Sequence, residues 1–152
     1  MNAPKADWAA QLNENPGGFN RVMGLRFVSA TTDEVVAEWD VGQQHLQPYG
    51  IVHGGVLSGV IETLCSVGAA MNAEPNGRSV VGLENHSSFV RAVRSGRLRA
   101  TATPLTRGRR SQLWEGTVRD EAGRTIASGR VRLLCLEPEV ELAGEKVTVR
   151  HR

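Results

Sequence analysis

Cysteine is nearly absent from this chain: two occur in 152 residues, Cys65 and Cys135. They form no Cys-x-x-Cys pair, and no cysteine–histidine spacing suits a zinc ligand set. A disulfide scaffold and a zinc ribbon are thereby excluded. Both thiols sit in apolar runs and read as buried and reduced. Charge of one sign is also missing. Lysine and arginine number 18 against 16 acids, a net of +2. That balance is too small to make nucleic acid or an acidic membrane a main partner. No Gly-x-Ser-x-Gly elbow is present, which removes the serine-triad hydrolases of that kind. His45, His53, His86 and Glu62 lack zinc-type spacing, so neither a metal nor a cofactor is expected. The first twenty residues carry Lys5, Asp7 and Glu14 and no long apolar run. No signal peptide is expected there, and the cytoplasm is the default location.

What is present is an ordinary globular balance, 40% hydrophobic and 22% charged. The length fits one domain, and such a domain buries roughly 68–70% of the surface its unfolded chain exposes. No repeat or low-complexity segment occurs. Apolar spacing and breakers predict a short helix over 7–15, ended by Asn15-Pro16-Gly17-Gly18. Strands are expected over 23–30 and 34–41, with a loop over 42–50. A helix follows over 54–72. Four strands then cover 79–93, 97–105, 111–119 and 125–136, separated by Ser95-Gly96, Arg107-Gly108 and Asp120-Glu121-Ala122-Gly123. Tight turns between consecutive strands predict antiparallel pairing. The chain thus divides into an N-terminal helical segment (1–22), a main domain (23–136) and a charged C-terminal tail (137–152). The fold class is α+β: an antiparallel sheet wrapped around one apolar helix, with edges and a half-covered helix that favour oligomers.

That helix is apolar on nearly every side, which marks burial. Its length and composition also approach those of a membrane span. A carboxylate at its centre would be costly in lipid, so a buried helix is expected.

The carboxylate is Glu62, the one charged residue in 54–73. A buried acid needs compensation or a cleft. One reading pairs it with an arginine of the sheet or of a partner subunit. The other makes it a general base for water or a nucleophile on a thioester carbonyl. Gly55 lies seven residues before it, on the same helix face and roughly 10 Å away along the axis. Ser58 and Ser66 extend that polar stripe at four residues either side. Gly54-Gly55 opens the helix, where free backbone N–H groups and the helix dipole can hold an anion or a developing oxyanion, or where the glycines are purely structural. His53 either caps that end or takes part in catalysis. Asn85 and His86 either line a pocket or satisfy each other. Arginines recur at 91, 94, 97, 99, 107, 109 and 110. A solvated sheet face explains most of them, while Arg109, Arg110 and Ser111 at a turn also suit the phosphates of coenzyme A.

The chain resembles the hotdog-fold thioesterases of the PaaI-like kind over about 23–136. The residues that carry the likeness are Gln47-Pro48-Tyr49-Gly50-Ile51-Val52-His53-Gly54-Gly55, then Glu62-Thr63-Leu64, Val80-Val81-Gly82, Asn85-His86, Phe89-Val90-Arg91 and the strand around Trp114. Within the family it is similar to the Arthrobacter-type 4-hydroxybenzoyl-CoA thioesterase, the proofreading thioesterase of enterobactin synthesis and the 1,4-dihydroxy-2-naphthoyl-CoA thioesterases. The branch with an aspartate in the loop is not matched, since no Asp occurs between Val41 and Gly55. The resemblance implies hydrolysis of an aromatic or medium-chain acyl-CoA, with Glu62 as nucleophile or general base. It implies that the Gly55 amide polarises the carbonyl, that Gln47 and His53 position thioester or water, and that Ser66 orients them. It also implies a homodimer with shared sites, Glu62 of one chain facing 47–55 of the other, and usually a homotetramer. A hotdog dehydratase or hydratase on acyl thioesters and a non-catalytic acyl-CoA-binding module are the alternatives.

Overall fold

The structure, a computed structural model, describes residues 7–147. Parts of the two expected terminal segments, 1–6 and 148–152, lie outside the described residues. Two short helices come first, α1 (Ala9–Glu14) and α2 (Gly18–Val22). Two strands follow, β1 (Arg26–Ala30) and β2 (Val35–Asp40). After a single 3-10 turn at Gln43–His45 comes the long helix α3 (Gly54–Ala73). The remaining long strands are β3 (Ser79–Phe89), β4 (Arg97–Arg107), β5 (Ser111–Asp120) and β6 (Thr125–Leu136). The tail adds a small hairpin, β7 (Glu141–Leu142) and β8 (Glu145–Lys146), which its charge did not foretell.

Six strands form one antiparallel sheet in the order β1-β2-β4-β5-β6-β3. One expectation is corrected here. The strand after α3 does not pair with its sequence neighbour β4; it crosses to the far edge and pairs with β6, from Ser79 opposite Leu136 to Phe89 opposite Ala127. The physical reason is the path of the chain beyond Phe89. Residues 90–96 form an irregular crossing segment, in which Val93 O accepts from Val52 N at 2.9 Å, so Ser95-Gly96 is not a hairpin turn. The β4–β5 and β5–β6 turns do join sequence neighbours as expected.

The sheet curls around α3. Alternation along β5 puts Gln112, Trp114, Gly116 and Val118 on the helix side. From α3, Leu57, Val60, Ile61, Leu64, Cys65, Gly68, Ala69 and Ala73 are buried. Each aliphatic side chain so buried contributes about 1.5–3 kcal/mol. The helix is long and apolar enough to cross a membrane; packing against β2 to β6 covers one side of it and leaves the rest of that apolar surface uncovered by the sheet. Two contacts fix its height over the sheet. The Trp114 ring lies on Gly68, where a β-carbon would not fit, and Ile61 lies on Gly116. Gln112, buried, donates to Ala69 O at 3.0 Å and accepts from Trp114 Nε1 at 2.9 Å.

The outer sheet face carries arginines in cross-strand pairs, Arg97 of the expected set and Arg130 and Arg132 beyond it. Arg97 meets Asp40 at 3.0 Å, Arg130 meets Glu115 at 3.2 Å and Arg132 meets Glu84 at 3.0 Å. The neighbouring guanidinium holds the Asp40 carboxyl below its usual range. These pairs are exposed and add little stability.

Candidate functional site

Glu62 projects from the middle of α3 toward β3. Its Oε2 accepts from Asn85 Nδ2 at 3.0 Å, and its Oε1 lies 3.4 Å from Ser66 Oγ. The same Asn85 amide donates to Ser58 O at 3.1 Å, and Ser87 Oγ donates to Asn85 Oδ1 at 2.6 Å. Asn85 is thereby fixed with its NH₂ toward the acid. The carboxylate also rests on Gly82, where any β-carbon would overlap Oε1. The register of β3 slips between Gly82 and Glu84 at this place, and Leu83 stands exposed in the bulge. Among the described residues, no arginine or lysine is within ion-pair distance of Glu62. All its partners are neutral, and it is half-buried. The arginine-paired reading therefore does not hold among the described residues of one chain.

One turn deeper on α3 is Cys65. Burial pushes its thiol up to about 12, helped by the negative charges of Glu62 and Glu115. It is an inert neutral thiol, not a nucleophile. Cys135 is free and buried as well.

The start of α3 forms a second group. His53 has extended backbone (φ −65°, ψ 134°) and caps the helix: its Nδ1 accepts the Gly55 N–H at 2.8 Å. The amide expected to polarise a carbonyl is thus occupied by the chain's own imidazole. Phe89, at the end of β3, lies against Gly54, where a side chain would be excluded. Gln47 folds back on its own loop, its Oε1 accepting from the Tyr49 backbone N–H. Arg94 anchors this loop through Tyr49 O at 2.7 Å and Gly50 O at 3.1 Å. Gly50 has φ +70°, a backbone that favours glycine. His45, which sequence reasoning set aside, is buried and structural. It accepts from Gly42 N at 2.9 Å and contacts Met23 O at 3.0 Å, so Nδ1 is the acceptor and Nε2 carries the hydrogen.

Not every expected residue joins these groups. His86 follows Asn85 on a strand, so it faces away from α3 and is exposed. The two cannot satisfy each other. Arg109, Arg110 and Ser111 lie at and just after the β4–β5 turn, beside the C-terminal end of α3. Of the three, Arg109 lines a cavity of about 660 Å³, together with Asn76, Arg78 and Arg107. Arg78 bridges to Glu137 at 2.7 Å and donates to Arg109 O at 2.6 Å; Arg109 lies 3.7 Å from Glu137. The cavity is roughly 16 Å along the helix from Glu62, at eleven residues' rise. Gly82 escaped sequence reasoning as part of the site. Among the described residues no cluster of three or more His, Cys, Asp or Glu could hold a metal ion.

A helix-borne acid on neutral hydrogen bonds and a glycine-rich helix start are thus the two assembled features. Residues 49–127 match the family model described as the thioesterase superfamily. A Mycobacterium tuberculosis protein provisionally termed an esterase is 43% identical over 136 residues, 88% of this chain and 96% of its own length. Its solved structure aligns with a TM-score of 0.78, covering 80% of this chain and 98% of that one. The structure of S. sahachiroi AziG is 38% identical with a TM-score of 0.74, covering 79% and 97%. The 1,4-dihydroxy-2-naphthoyl-CoA hydrolase of Escherichia coli is 35% identical over 109 residues, 72% of this chain and 79% of that protein.

Proposed function

This chain belongs to the thioesterase superfamily, with the hotdog fold of its structural neighbours, and from that premise we propose that it hydrolyses an aromatic or medium-chain acyl-CoA to the free acid and coenzyme A. The observation that carries this reading is the Glu62 seat. The acid is held by Asn85 and Ser66, both neutral hydrogen-bond donors, so no cation among the described residues ties it up. The similarity to a hydrolase named for an aromatic acyl-CoA supports the substrate class.

In the proposed reaction Glu62 either attacks the carbonyl carbon or takes a proton from the water that attacks it. In both routes a C–O bond forms, the C–S bond breaks, and the thiolate of coenzyme A leaves and is protonated by solvent. When Glu62 is the nucleophile, water then hydrolyses the acyl-enzyme anhydride. Backbone N–H groups at the start of α3 stabilise the oxyanion.

Glu62 and Gly55 are roughly 10 Å apart along one helix, too far to flank a single carbonyl whose carbon and oxygen each need a partner near 3 Å. We therefore propose that the site is completed by a second copy, Glu62 of one subunit facing 47–55 of the other, in a homodimer or homotetramer. The outer edge of β3 supports this: it has no pairing strand among those described, and Leu83 and Phe89 on it are exposed. Arg109 and Arg110 are the proposed contacts for the phosphates. Two free cysteines support a cytoplasmic setting.

The test is Glu62→Gln, assayed by release of free thiol from benzoyl-CoA. The variant should keep its circular dichroism spectrum and lose about 10²–10⁴-fold in kcat. Hydrolysis at the parent rate would refute the role given to Glu62.

A further inference from the structure

An aromatic ring stands on α3 one turn before the acid, and the residues that present it come from outside the segment that matches the family model. Phe19, on α2, is 61% exposed, and so is Val22 three residues on. A phenylalanine in that state is held in place by something other than burial. Its ring stands on Gly59 of α3: a β-carbon there would lie 2.9 Å from Phe19 Cε1 and 3.3 Å from Cζ. The next residue, Asn20, ties the segment down, its Oδ1 accepting from Thr63 Oγ1 at 3.0 Å. Met23 is buried behind it, and its carbonyl meets His45 Nε2 at 3.0 Å. Glycine at 59 is what lets an aromatic ring approach the helix so closely.

Helical spacing places this ring. Gly59 is three residues before Glu62, and residues three apart are neighbours on a helix surface. Thr63 is the residue after the acid. Ser58, whose carbonyl is held by Asn85 of β3, is about 100° away from Gly59 around the helix. Around the helix Glu62 therefore falls between Ser58, which β3 holds, and Gly59, which Phe19 covers. The β3 side supplies hydrogen bonds to the acid; the α2 side supplies an open ring face and a branched aliphatic.

We infer that Phe19, with Val22 beside it, is the surface that receives the acyl group of the thioester and favours a flat aromatic one. This rests on the thioesterase reading for the identity of the ligand. An exposed ring face gains most from another ring stacked on it. The pantetheine arm, polar and flexible, gains little from such a surface. Phe19 is a specificity residue here, with no part in the bond changes.

The test compares two ligands on the full chain by calorimetry. One is the phenacyl thioether of coenzyme A, in which a methylene between sulfur and carbonyl blocks hydrolysis. The other is coenzyme A itself. Phe19→Ala should weaken the thioether about tenfold while the Kd for coenzyme A stays within about twofold. Phe19→Leu should fall between parent and alanine. Gly59→Ala, which displaces the ring without removing it, should also weaken the thioether selectively. Equal weakening of both ligands, no change in either, or an altered oligomeric mass on sizing of Phe19→Ala would overturn the inference. Parent protein that binds the thioether selectively but releases no thiol from benzoyl-CoA would refute the thioesterase reading and leave this inference standing.

Discussion

The carboxylate of Glu62 lies directly on the backbone of Gly82, with no room for a β-carbon between them. A strand thus serves as the rest for an acid carried by a helix. Gly82 is exposed on its other side, so a methyl group there meets little besides that carboxylate. Gly82→Ala should therefore push Glu62 off Asn85 while sparing the core. A displacement near 1 Å costs about 10²-fold in rate. The expected result is that loss in kcat with a melting temperature close to the parent's. A fully active variant would show that the seat is dispensable.

The Gly55 N–H cannot serve His53 and a thioester oxygen at full strength together. In a complex with a non-hydrolysable thioether, the 2.8 Å contact to His53 Nδ1 should open beyond about 3.5 Å, past hydrogen-bond range. A crystal structure of that complex measures it directly. Without ligand, His53→Ala should cost about 1 kcal/mol of stability through loss of the cap, read from urea unfolding. A complex that keeps the imidazole on the amide would move the oxyanion contact elsewhere.

Cys65 ionises far above an ordinary thiol because it is buried beside Glu62 and Glu115. Its raised value in the folded state, about 12 against 9.0, sets the sign. The contribution to stability is complete below pH 9 and is lost as pH rises from 9 toward 12. Urea unfolding between about pH 8 and 11 should show a steeper alkaline loss for the parent than for Cys65→Ala. At about pH 8 the folded protein should leave a thiol reagent unreacted at Cys65, and unfolding should release that thiol. Ready modification of the native protein at Cys65 would contradict the burial.

Gln112 joins α3 to the sheet through Ala69 O and Trp114 Nε1. Gln112→Leu keeps the volume but orphans the indole N–H. An unsatisfied buried donor costs about 1–3 kcal/mol. Chemical denaturation should show that loss with an unchanged m-value. Stability equal to the parent's would mean that the indole finds another acceptor.

Much of this was legible in the sequence. The bounds of α3 were visible because Gly54-Gly55 and Pro75-Asn76-Gly77 punctuate an unbroken apolar stretch. The strand spans followed from turn residues, and β6 falls on its expected limits. Glu62 was visible as a lone acid among apolar neighbours. Sheet order was not legible, since nothing local to β3 says that its partner lies some fifty residues later. The division of Asn85 from His86 needed the strand's phase, which an interrupted polar run conceals. Gly82 and Phe19 act on α3 across space. No local pattern assigns either one a place against the helix, and only the packing does so.

The edge position of β3 sets an order of events for the newborn chain. Among the described residues β3 pairs with β6 alone, the last of the six strands to be synthesised. Until residue 136 has emerged, the ledge under the Glu62 side chain is unsupported, however complete the helix is. Polypeptides halted before Thr125 should hold their acid without a place to rest it. Competence for chemistry would then arrive in one late step, when a distant segment docks, and not gradually along the ribosome's output.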